Sequence, residues 1–375
     1  MDNVDVIIIG AGAVGLAIAA ELNRKFPGAC IGVLDKEKQF GWHTSSRNSE
    51  VIHGGMYYPS GSLKAKLCVE GRSLLYEFCD QHKVPYQKIG KLIIARDESE
   101  ILSIESLARQ GEMNGVDDLR LIDRAQVAQM EPNIKAVAAL YSPSTGILDS
   151  HKLMTKFELM FKSGDNNFIG YKHEVTGVEF TGSEYIVTYR TLDGITDQLA
   201  CKWLINSTGL WADVVAGWLG IDIEKEGYRT YWVKGEYFSI PASKYKLVNH
   251  LVYPPPLRAM LGGGIHVTKT LDGRVRLGPS AFYVDTINYD VDRDHADQFY
   301  AEARYLPFLE REDVEPDMSG IRPKIQSPTD PQKDFVIRHE ADKGLPGFIN
   351  LVGIESPGLT SCIAIARMAS NWVEI

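Results

Sequence analysis

The chain has 375 residues, of which 44% are hydrophobic and 24% are charged, and its formal net charge is -9 at pH 7. This length and composition predict two or three globular domains with sizeable buried cores, and they exclude an intrinsically disordered chain. The lysines and arginines are scattered singly, so no basic stripe is present to bind phosphates, and we expect no nucleic-acid partner.

The cysteines and the start of the chain indicate the cellular compartment. The five cysteines form no CxxC pair and no regular spacing, which argues against a metal site and a disulfide framework and fits a reducing compartment. An apolar strand follows almost directly on the N-terminus, without the basic and apolar regions of a signal peptide. No apolar run approaches the roughly 20 residues that span a bilayer. We therefore expect a cytoplasmic protein without a transmembrane segment, for which peripheral contact with the inner membrane stays open.

Residues 4–35 show the pattern of a strand, a glycine turn, a helix and a second strand. Apolar residues fill 4–9 and 31–34, and they recur at helical spacing in 16–24. Between the first strand and the helix lies Gly10-x-Gly12-x-x-Gly15, the dinucleotide-binding fingerprint. Its glycines allow a tight turn, close approach of the backbone to a pyrophosphate and close helix packing, and the helix N-terminus supplies N–H donors. Ala13 and Val14, within the turn, are placed in the same cofactor site.

An acidic residue completes this unit. Asp35 ends the second strand about 20 residues beyond Gly15, where a carboxylate accepts hydrogen bonds from both ribose hydroxyls. We place the next residue, Lys36, in the same cofactor site. The motif alone fits NAD as well as FAD, so it predicts a bound dinucleotide without choosing between the two.

The middle of the chain alternates helices and strands. A polar loop at 41–61 is too long for an ordinary connection, and a helix at Leu63–His82 and a strand at Lys91–Ala95 follow it. The pattern then predicts helices at 98–114 and Arg124–Met130, a turn-rich segment at 141–146 and a helix from 151 onwards.

The second half is rich in strands. Strands at 174–180, 185–189 and 192–205, with turns around Gly182 and Gly194, predict a meander. The segment 231–276 is punctuated by Pro254-Pro255-Pro256 and Gly262-Gly263-Gly264 and predicts an antiparallel sheet. From 348 the chain returns to an apolar strand, a glycine turn and a helix.

The long loop after Asp35 favours FAD. Its hydroxyl and amide side chains can form hydrogen bonds with a second ribityl and phosphate group, as an extended FAD requires and NAD does not. The residues that we place there are Thr44, Ser45, Ser46, Asn48 and Ser49.

At these residues the sequence resembles the D-amino-acid oxidase (DAO) superfamily of FAD-dependent oxidoreductases. The runs 48–58 and 61–68 are similar to its L-2-hydroxyglutarate dehydrogenase/oxidase branch. The resemblance extends along nearly the whole chain, through the segments 206–212, 234–237, 264–268, 272–274 with 277–279, 321–324 and 353–360. Two positions depart from the pattern: Asp35 stands where the superfamily usually has glutamate, and Glu50 stands where the branch commonly has a small residue.

The resemblance implies a mixed fold, α/β with α+β. A Rossmann-like FAD-binding domain is expected at 1–85, 145–228 and 318–375, and a substrate domain built on an antiparallel β-sheet at 86–144 and 229–317. FAD is expected to bind non-covalently, with attachment through His53 as the alternative. The further cofactor contacts implied are Val175, Thr208, Gly209, Trp211, Arg322, Gly353, Glu355, Ser356, Gly358, Leu359 and Thr360.

Oxidation of an alcohol requires a base for the hydroxyl proton, and histidine suits that role near neutral pH. A lone histidine is more often a structural residue, and His53 and His266 are the two candidates because of the motifs in which they stand. Arg322 is the candidate clamp for a substrate carboxylate, since its guanidinium offers two parallel donors. Tyr57 is expected to wall the substrate pocket, and the weaker candidates for a second carboxylate are Tyr253, Lys269 and Lys234.

The expected reaction is oxidation of a small 2-hydroxy acid to the 2-oxo acid, with L-2-hydroxyglutarate as the first choice of substrate. The alternatives that keep the flavin are an amine or amino-acid oxidase and a glycerol-3-phosphate dehydrogenase. A third alternative is a flavin-binding redox sensor without turnover. The electron acceptor, which can be oxygen, a quinone or another protein, stays open.

Overall fold

The structure is a computed structural model that describes residues 2–256 and 264–375. In these residues the helices are α1 (Ala13–Lys25), α2 (Leu63–His82), α3 (Ile101–Met113), α4 (Arg124–Met130), α5 (Ser150–Phe161), α6 (Ala212–Trp218), α7 (Ile223–Glu226), α8 (Ala296–Glu302) and α9 (Gly358–Ser370).

Twenty strands lie in the same described ranges. They are β1 (Asp2–Ile9), β2 (Ile31–Asp35), β3 (Val51–Ile52), β4 (Tyr86–Gln87), β5 (Lys91–Ala95), β6 (Arg120–Asp123), β7 (Ala138–Ser142), β8 (Gly146–Leu148), β9 (Phe168–Tyr171), β10 (His173–Phe180), β11 (Tyr185–Thr191), β12 (Thr196–Asn206), β13 (Tyr231–Ser239), β14 (Leu251–Tyr253), β15 (Val267–Lys269), β16 (Val275–Leu277), β17 (Phe282–Val284), β18 (Glu315–Lys324), β19 (Val336–His339) and β20 (Phe348–Val352).

The first sheet is built around β1. Its order is β10-β11-β12-β1-β2-β9, with β20 beside β12 and β19 beside β20. β1 is parallel to both β2 and β12, whereas β10, β11 and β12 form the predicted antiparallel meander. One face of β1, represented by Ile8, packs against α1, α5 and α9, and the other, represented by Ile7, packs on the side of α6. Burial of both faces explains the unbroken apolar run that predicted this strand.

Helix α1 begins within the glycine turn, before the apolar pattern at 16–24 that predicted it. The helix starts at Ala13, so the third glycine of the fingerprint, Gly15, lies inside it. A Cβ on Gly15 would lie 2.0 Å from the carbonyl oxygen of Gly10, which shows how closely the helix approaches the end of β1. Gly10 itself has φ +105°, a conformation that side chains other than glycine rarely adopt.

The second sheet has the order β17-β13-β16-β15-β14-β5-β7-β6, with β18 beside β13. It is antiparallel as predicted except that β5 and β14 are parallel. These two strands come from distant parts of the chain, so no hairpin fixes their relative direction. Of the predicted turn glycines in this region, Gly262 and Gly263 lie outside the described residues.

One strand of this sheet spans a predicted domain boundary. β18 pairs antiparallel with β13 from Tyr231↔Lys324 to Ser239↔Glu315. The predicted boundary at 317/318 cuts through β18 and assigns 318–324 to the first domain, whereas the pairing places these residues in the second sheet. A long-range strand pairing of this kind leaves no local signal in the sequence.

A third, small sheet joins the long loop to the rest of the chain. It has the order β3-β8-β4 and includes part of the segment that was predicted as turns, since β8 begins at Gly146. β3 (Val51–Ile52) is the only strand of the described structure within the loop 41–61, and His53 follows it directly. Among the residues that the structure describes, no helix combines the length and apolarity needed to cross a membrane.

Candidate functional site

Two adjoining cavities lie beside the glycine turn. The larger has a volume of about 1030 Å³ and extends from the turn past the loop after Asp35 to residues of β13, β14 and β18 and to the start of α9. The smaller has a volume of about 250 Å³ and lies against Asp35 and Trp211. Gly12, Ser45 and Gly209 line both, so the two volumes adjoin. A site of this size and length suits an extended dinucleotide with a small substrate beside it.

Most of the predicted cofactor contacts line these cavities. The larger is lined by Gly12, Ala13, Val14, Thr44, Ser45, Asn48, Ser49, Gly209, Arg322, Glu355, Ser356, Gly358 and Leu359. The smaller is lined by Gly10, Gly12, Asp35, Lys36, Thr44, Ser45, Val175, Thr208, Gly209 and Trp211.

Four predicted contacts, Gly15, Ser46, Gly353 and Thr360, line neither cavity. Gly15 serves the packing of α1 on the turn. The Thr360 hydroxyl accepts a hydrogen bond from the His53 N–H (3.0 Å) and donates one to the Val51 carbonyl (3.3 Å). Thr360 therefore holds the chain around His53 in place from α9.

The turn itself leaves room for a pyrophosphate. The N–H of Ala13 donates a hydrogen bond to Ser45 Oγ over 2.9 Å, which brings the long loop against the start of α1. A Cβ on Gly12 would lie 2.9 Å from the same Oγ, so a larger residue would close this approach. The bare backbone at Gly12 and the N-terminus of α1 therefore fit the phosphate groups of a dinucleotide.

Asp35 and its neighbours fit the nucleoside end. The carboxylate accepts hydrogen bonds from the N–H groups of Ala11 (2.7 Å) and Glu37 (2.8 Å), and burial raises its pKa against the opposing effect of these donors. A carboxylate has further acceptor positions for ribose hydroxyls. Lys36 Nζ lies 3.1 Å from the ring centroid of Trp211, and the two side chains together wall the smaller cavity.

The two candidate bases both line the larger cavity. His53 Nε2 lies 3.2 Å from Ser356 Oγ, and its Nδ1 is buried without a hydrogen-bond partner in the described residues. Burial, with smaller contributions from Lys91 and His266, holds the pKa of His53 well below its ordinary 6.5. His53 is therefore a neutral imidazole at neutral pH. The ring of His266 stacks on Tyr253, with the centroids 3.7 Å apart and the planes at 9°.

Arg322 lies in β18 and faces the same cavity. Thr44 Oγ1 donates a hydrogen bond to the Ile321 carbonyl (2.9 Å), and a Cβ on Gly320 would lie 2.0 Å from the Arg47 carbonyl oxygen. The strand is thus fixed directly against the long loop. The half-buried Arg322 guanidinium donates a hydrogen bond to the Ser280 carbonyl (3.4 Å) and forms no ion pair within the described part of the chain. Its charge is available to an anionic ligand.

Two predicted substrate residues lie away from the site. Lys269 and Lys234 do not line the larger cavity. Lys269 Nζ donates a hydrogen bond to the Val248 carbonyl, and burial lowers its pKa. Lys234 Nζ donates to the Asp290 carbonyl and lies 3.5 Å from Glu236. Both amines are used by the protein itself, whereas Tyr57 and Tyr253 do line the cavity as predicted.

Sequence reasoning missed a buried charge cluster at the cavity. Glu355 Oε1 accepts hydrogen bonds from Lys64 Nζ (2.9 Å) and Lys324 Nζ (2.8 Å), and all three side chains are buried. Burial by itself would raise the pKa of Glu355, but the two ammonium groups lower it to about 2. The three residues come from α2, β18 and the turn before α9, so the cluster joins three distant segments. No spacing rule could have brought them together.

Replacing this carboxylate by an amide is expected to destabilise the fold. Glu355→Gln leaves two buried ammonium groups uncompensated, which should cost about 3–5 kcal/mol in the free energy of unfolding at neutral pH. Because the pKa of Glu355 is depressed in the folded state, its contribution is present above its ordinary value of 4.5 and is lost as the pH falls towards 2. Denaturant unfolding of both proteins across this range measures the difference.

The matched control is Glu224→Gln, which removes an exposed ion pair with Arg229. An exposed pair contributes about 0–1 kcal/mol, so this variant should unfold almost like the wild type. Equal stabilities of the Glu355→Gln variant and the wild type at neutral pH would show that the cluster does not hold these segments together.

Within residues 2–256 and 264–375, no group of three or more His, Cys, Asp or Glu side chains is placed to hold a metal ion.

The chain is similar to known proteins along nearly its whole length. The family described as "DAO: FAD dependent oxidoreductase" matches residues 5–372. A protein of Arabidopsis thaliana named "L-2-hydroxyglutarate dehydrogenase, mitochondrial" is 38% identical over 408 residues, which cover 99% of this chain and 83% of the relative. A protein of the same name from Nematostella vectensis is 32% identical over 417 residues, with 99% and 90% coverage.

Solved structures share the fold. The dithionite-reduced L-α-glycerophosphate oxidase of Mycoplasma pneumoniae with FAD bound has a TM-score of 0.86 and 26% identity, and the match covers 99% of this chain and 95% of that one. The glycine oxidase of Geobacillus kaustophilus has a TM-score of 0.79 at 18% identity, with the same coverage. This second likeness concerns the fold alone.

Proposed function

Because the chain belongs to the DAO family of FAD-dependent oxidoreductases, we propose that it oxidises L-2-hydroxyglutarate to 2-oxoglutarate. The names of the relatives in Arabidopsis thaliana and Nematostella vectensis support this substrate. The observation that carries the proposal is the larger cavity, where the dinucleotide cradle, a neutral histidine and an arginine without an ion pair in the described residues meet. An alcohol that bears a carboxylate needs these three features to be bound, deprotonated and oxidised.

Each residue then has a defined task. FAD, when bound along the cradle, supplies the acceptor for the hydride that leaves C2 of the substrate. Arg322 binds the carboxylate next to C2 and so fixes which face of that carbon is presented. His53 accepts the hydroxyl proton at Nε2, the ring nitrogen that lies 3.2 Å from Ser356 Oγ, and the hydrogen bond from the His53 N–H to Thr360 holds the residue in place. Tyr57, Tyr253 and His266 form the wall that excludes water.

His53 is the better base of the two histidines. It lies on the loop that follows the cofactor strand, and Thr360 fixes its backbone from the start of α9, the helix at the cavity. His266 is stacked flat on Tyr253. We therefore assign the role of proton acceptor to His53. His266 forms part of the cavity wall and acts on His53 electrostatically.

A second candidate is oxidation of glycerol 3-phosphate. The likeness to the FAD-bound L-α-glycerophosphate oxidase, at 26% identity over 99% of this chain, favours it. Among the described lining residues, Lys324 is already paired with Glu355, which leaves Arg322 and Arg47, whose guanidinium stacks on Tyr289, without an ion pair. L-2-Hydroxyglutarate and glycerol 3-phosphate are both dianions at neutral pH, so net charge does not separate them, and the names of the relatives favour L-2-hydroxyglutarate.

Three further properties are part of the proposal. FAD binds non-covalently, the electron acceptor is oxygen, a quinone or another protein, and the FAD-binding domain comprises 1–85, 145–228 and the residues after β18. The substrate domain then comprises 86–144 and 229–324. A cytoplasmic location remains a prediction from the sequence, since the related proteins carry "mitochondrial" in their names.

The test is an anaerobic titration of the purified yellow protein, followed by the loss of flavin absorbance. Bleaching by L-2-hydroxyglutarate, and not by D-2-hydroxyglutarate, is the expected result, because Arg322 and His53 fix one face of C2. As alternative substrates, glycerol 3-phosphate, glycine, sarcosine and L-lactate are titrated in the same way. Bleaching by one of these alone would replace the substrate, and no bleaching by any of them would favour a redox sensor.

A further inference from the structure

The most unusual buried group outside the assigned site is Lys91. It is the first residue of β5, lies between Leu251 of β14 and Ser142 of β7, and has no exposed surface. Its Nζ has no hydrogen-bond partner, and it forms no ion pair, among the residues that the structure describes. A buried ammonium with neither a hydrogen bond nor a counter-ion carries a large desolvation cost, so this residue destabilises the fold.

Lys91 lies directly behind the wall of the larger cavity. Its Nζ is 4.0 Å from the ring centroid of Tyr253 and 5.4 Å from that of Tyr57. Both rings line the cavity, and the charge of Lys91 also acts on His53. The ammonium is therefore one side chain away from the space where the substrate would bind. The Tyr57 hydroxyl and His53 Nδ1 are also buried without hydrogen-bond partners in the described structure.

The groups that face Lys91 supply no negative charge. They are Cys68 of α2, His53 and Tyr57 of the long loop, and Tyr253 of β14. Burial raises the pKa of the Cys68 thiol to about 12, and burial also raises the pKa values of both tyrosines. All of them are neutral near pH 7. Burial lowers the pKa of Lys91 to about 7, so near neutral pH the amine is divided between its protonated and its neutral form.

We infer that the ligand supplies the counter-ion of Lys91. The negative charge of the substrate in the cavity stabilises the ammonium form, so Lys91 takes up a proton from solvent when that anion binds. This inference rests on the proposed function only in that the substrate is an anion. Lys91 is a positioning residue, since the tyrosines separate it from the substrate. Its field also disfavours protonation of His53, which keeps the base neutral.

Two consequences can be measured on the FAD-loaded protein with 2-oxoglutarate as the probe. Binding should consume a fraction of a proton, up to one, at slightly alkaline pH, because the anion raises the pKa of Lys91. Affinity should weaken as the pH rises above neutrality, because the protonated form of Lys91 becomes scarcer. Calorimetry in two buffers of different ionisation enthalpy counts the protons, and the perturbation of flavin absorbance gives Kd.

Substitution separates the charge from the packing. Lys91→Met should weaken 2-oxoglutarate binding about tenfold, as expected for one charge acting across a side-chain layer, and should abolish proton uptake. Lys91→Arg, which stays charged, should bind the anion without taking up a proton. The control is Lys244→Met, which removes a lysine paired with Asp313 away from the cavity and should leave Kd and the proton count unchanged.

The outcomes distinguish this inference from the proposed function. If wild-type flavin is not bleached by L-2-hydroxyglutarate and 2-oxoglutarate does not bind, the proposed function fails, and the same proton count is made with glycerol 3-phosphate. If an anion binds to the wild type without proton uptake, or binds equally well to Lys91→Met, the inference about Lys91 is wrong. The proton count on the wild type decides the question even if a variant fails to fold.

Discussion

Replacing His53 with asparagine is expected to slow flavin reduction by L-2-hydroxyglutarate by about 10²–10⁴-fold, the usual contribution of a general base. The amide can keep a hydrogen bond with Ser356 but cannot accept the hydroxyl proton. The cradle at Gly12 and the contacts of Asp35 lie elsewhere in the site, so FAD content should be unchanged. Anaerobic stopped-flow measurement of the reduction rate at saturating substrate isolates this step from binding.

The pH dependence provides a second readout of the same residue. Because the pKa of His53 is held well below 6.5, the base is already deprotonated at neutral pH. The wild-type reduction rate should therefore stay level as the pH falls to 6.5 and decline only below that value, and His53→Asn should lose this decline. His151→Asn, which changes an exposed histidine of α5, is the control. An unchanged rate in His53→Asn would transfer the role of the base to His266.

The sequence predicted the local elements well, because their signals are local. The helices Leu63–His82 and Arg124–Met130 are confirmed at both ends, and so is the strand Lys91–Ala95. Ser62 caps the first helix by accepting the Ala65 N–H, and Asp123 forms a capping box with Gln126. Each cap lies within a few residues of the pattern that it ends, so a single sequence contains the whole signal.

The features that depend on distant residues could not be predicted. The pairing of β18 with β13 and the parallel pairing of β5 with β14 join segments far apart in the chain. Lys91 is a case of the same kind, because a lysine at the start of a strand is usually exposed. Only the packing of Tyr57 and Tyr253 over it shows that it is buried beside the cavity.

The same limit explains the mixed outcome for the predicted substrate residues. His266 and Lys269 are three positions apart, and the sequence offered both for the same site. In the structure His266 lines the cavity, whereas Lys269, in β15, donates to the Val248 carbonyl. Which face of a short strand meets the ligand depends on the register with its neighbours, and that register is set by the whole sheet.

Replacing Arg322 with methionine is expected to lower kcat/KM for L-2-hydroxyglutarate by about 10²–10³-fold, because loss of a buried charge partner costs roughly 2–5 kcal/mol. Arg322 is half-buried in β18, and the long loop and β13 fix the strand on both sides. Most of the effect should lie in KM, since the carboxylate binds the same cation before and during the reaction. Steady-state kinetics with the isolated variant measures both parameters.

Two further variants decide what Arg322 binds. Arg322→Lys keeps the charge but loses the two parallel donors, so its kcat/KM should fall between those of the wild type and the methionine variant. Arg293→Met removes an exposed pair with Glu315 at the other end of β18 and should leave kcat/KM unchanged. If Arg322→Met instead loses FAD on gel filtration while its KM, measured with added FAD, stays normal, then Arg322 serves the cofactor, and the substrate carboxylate must bind elsewhere in the cavity.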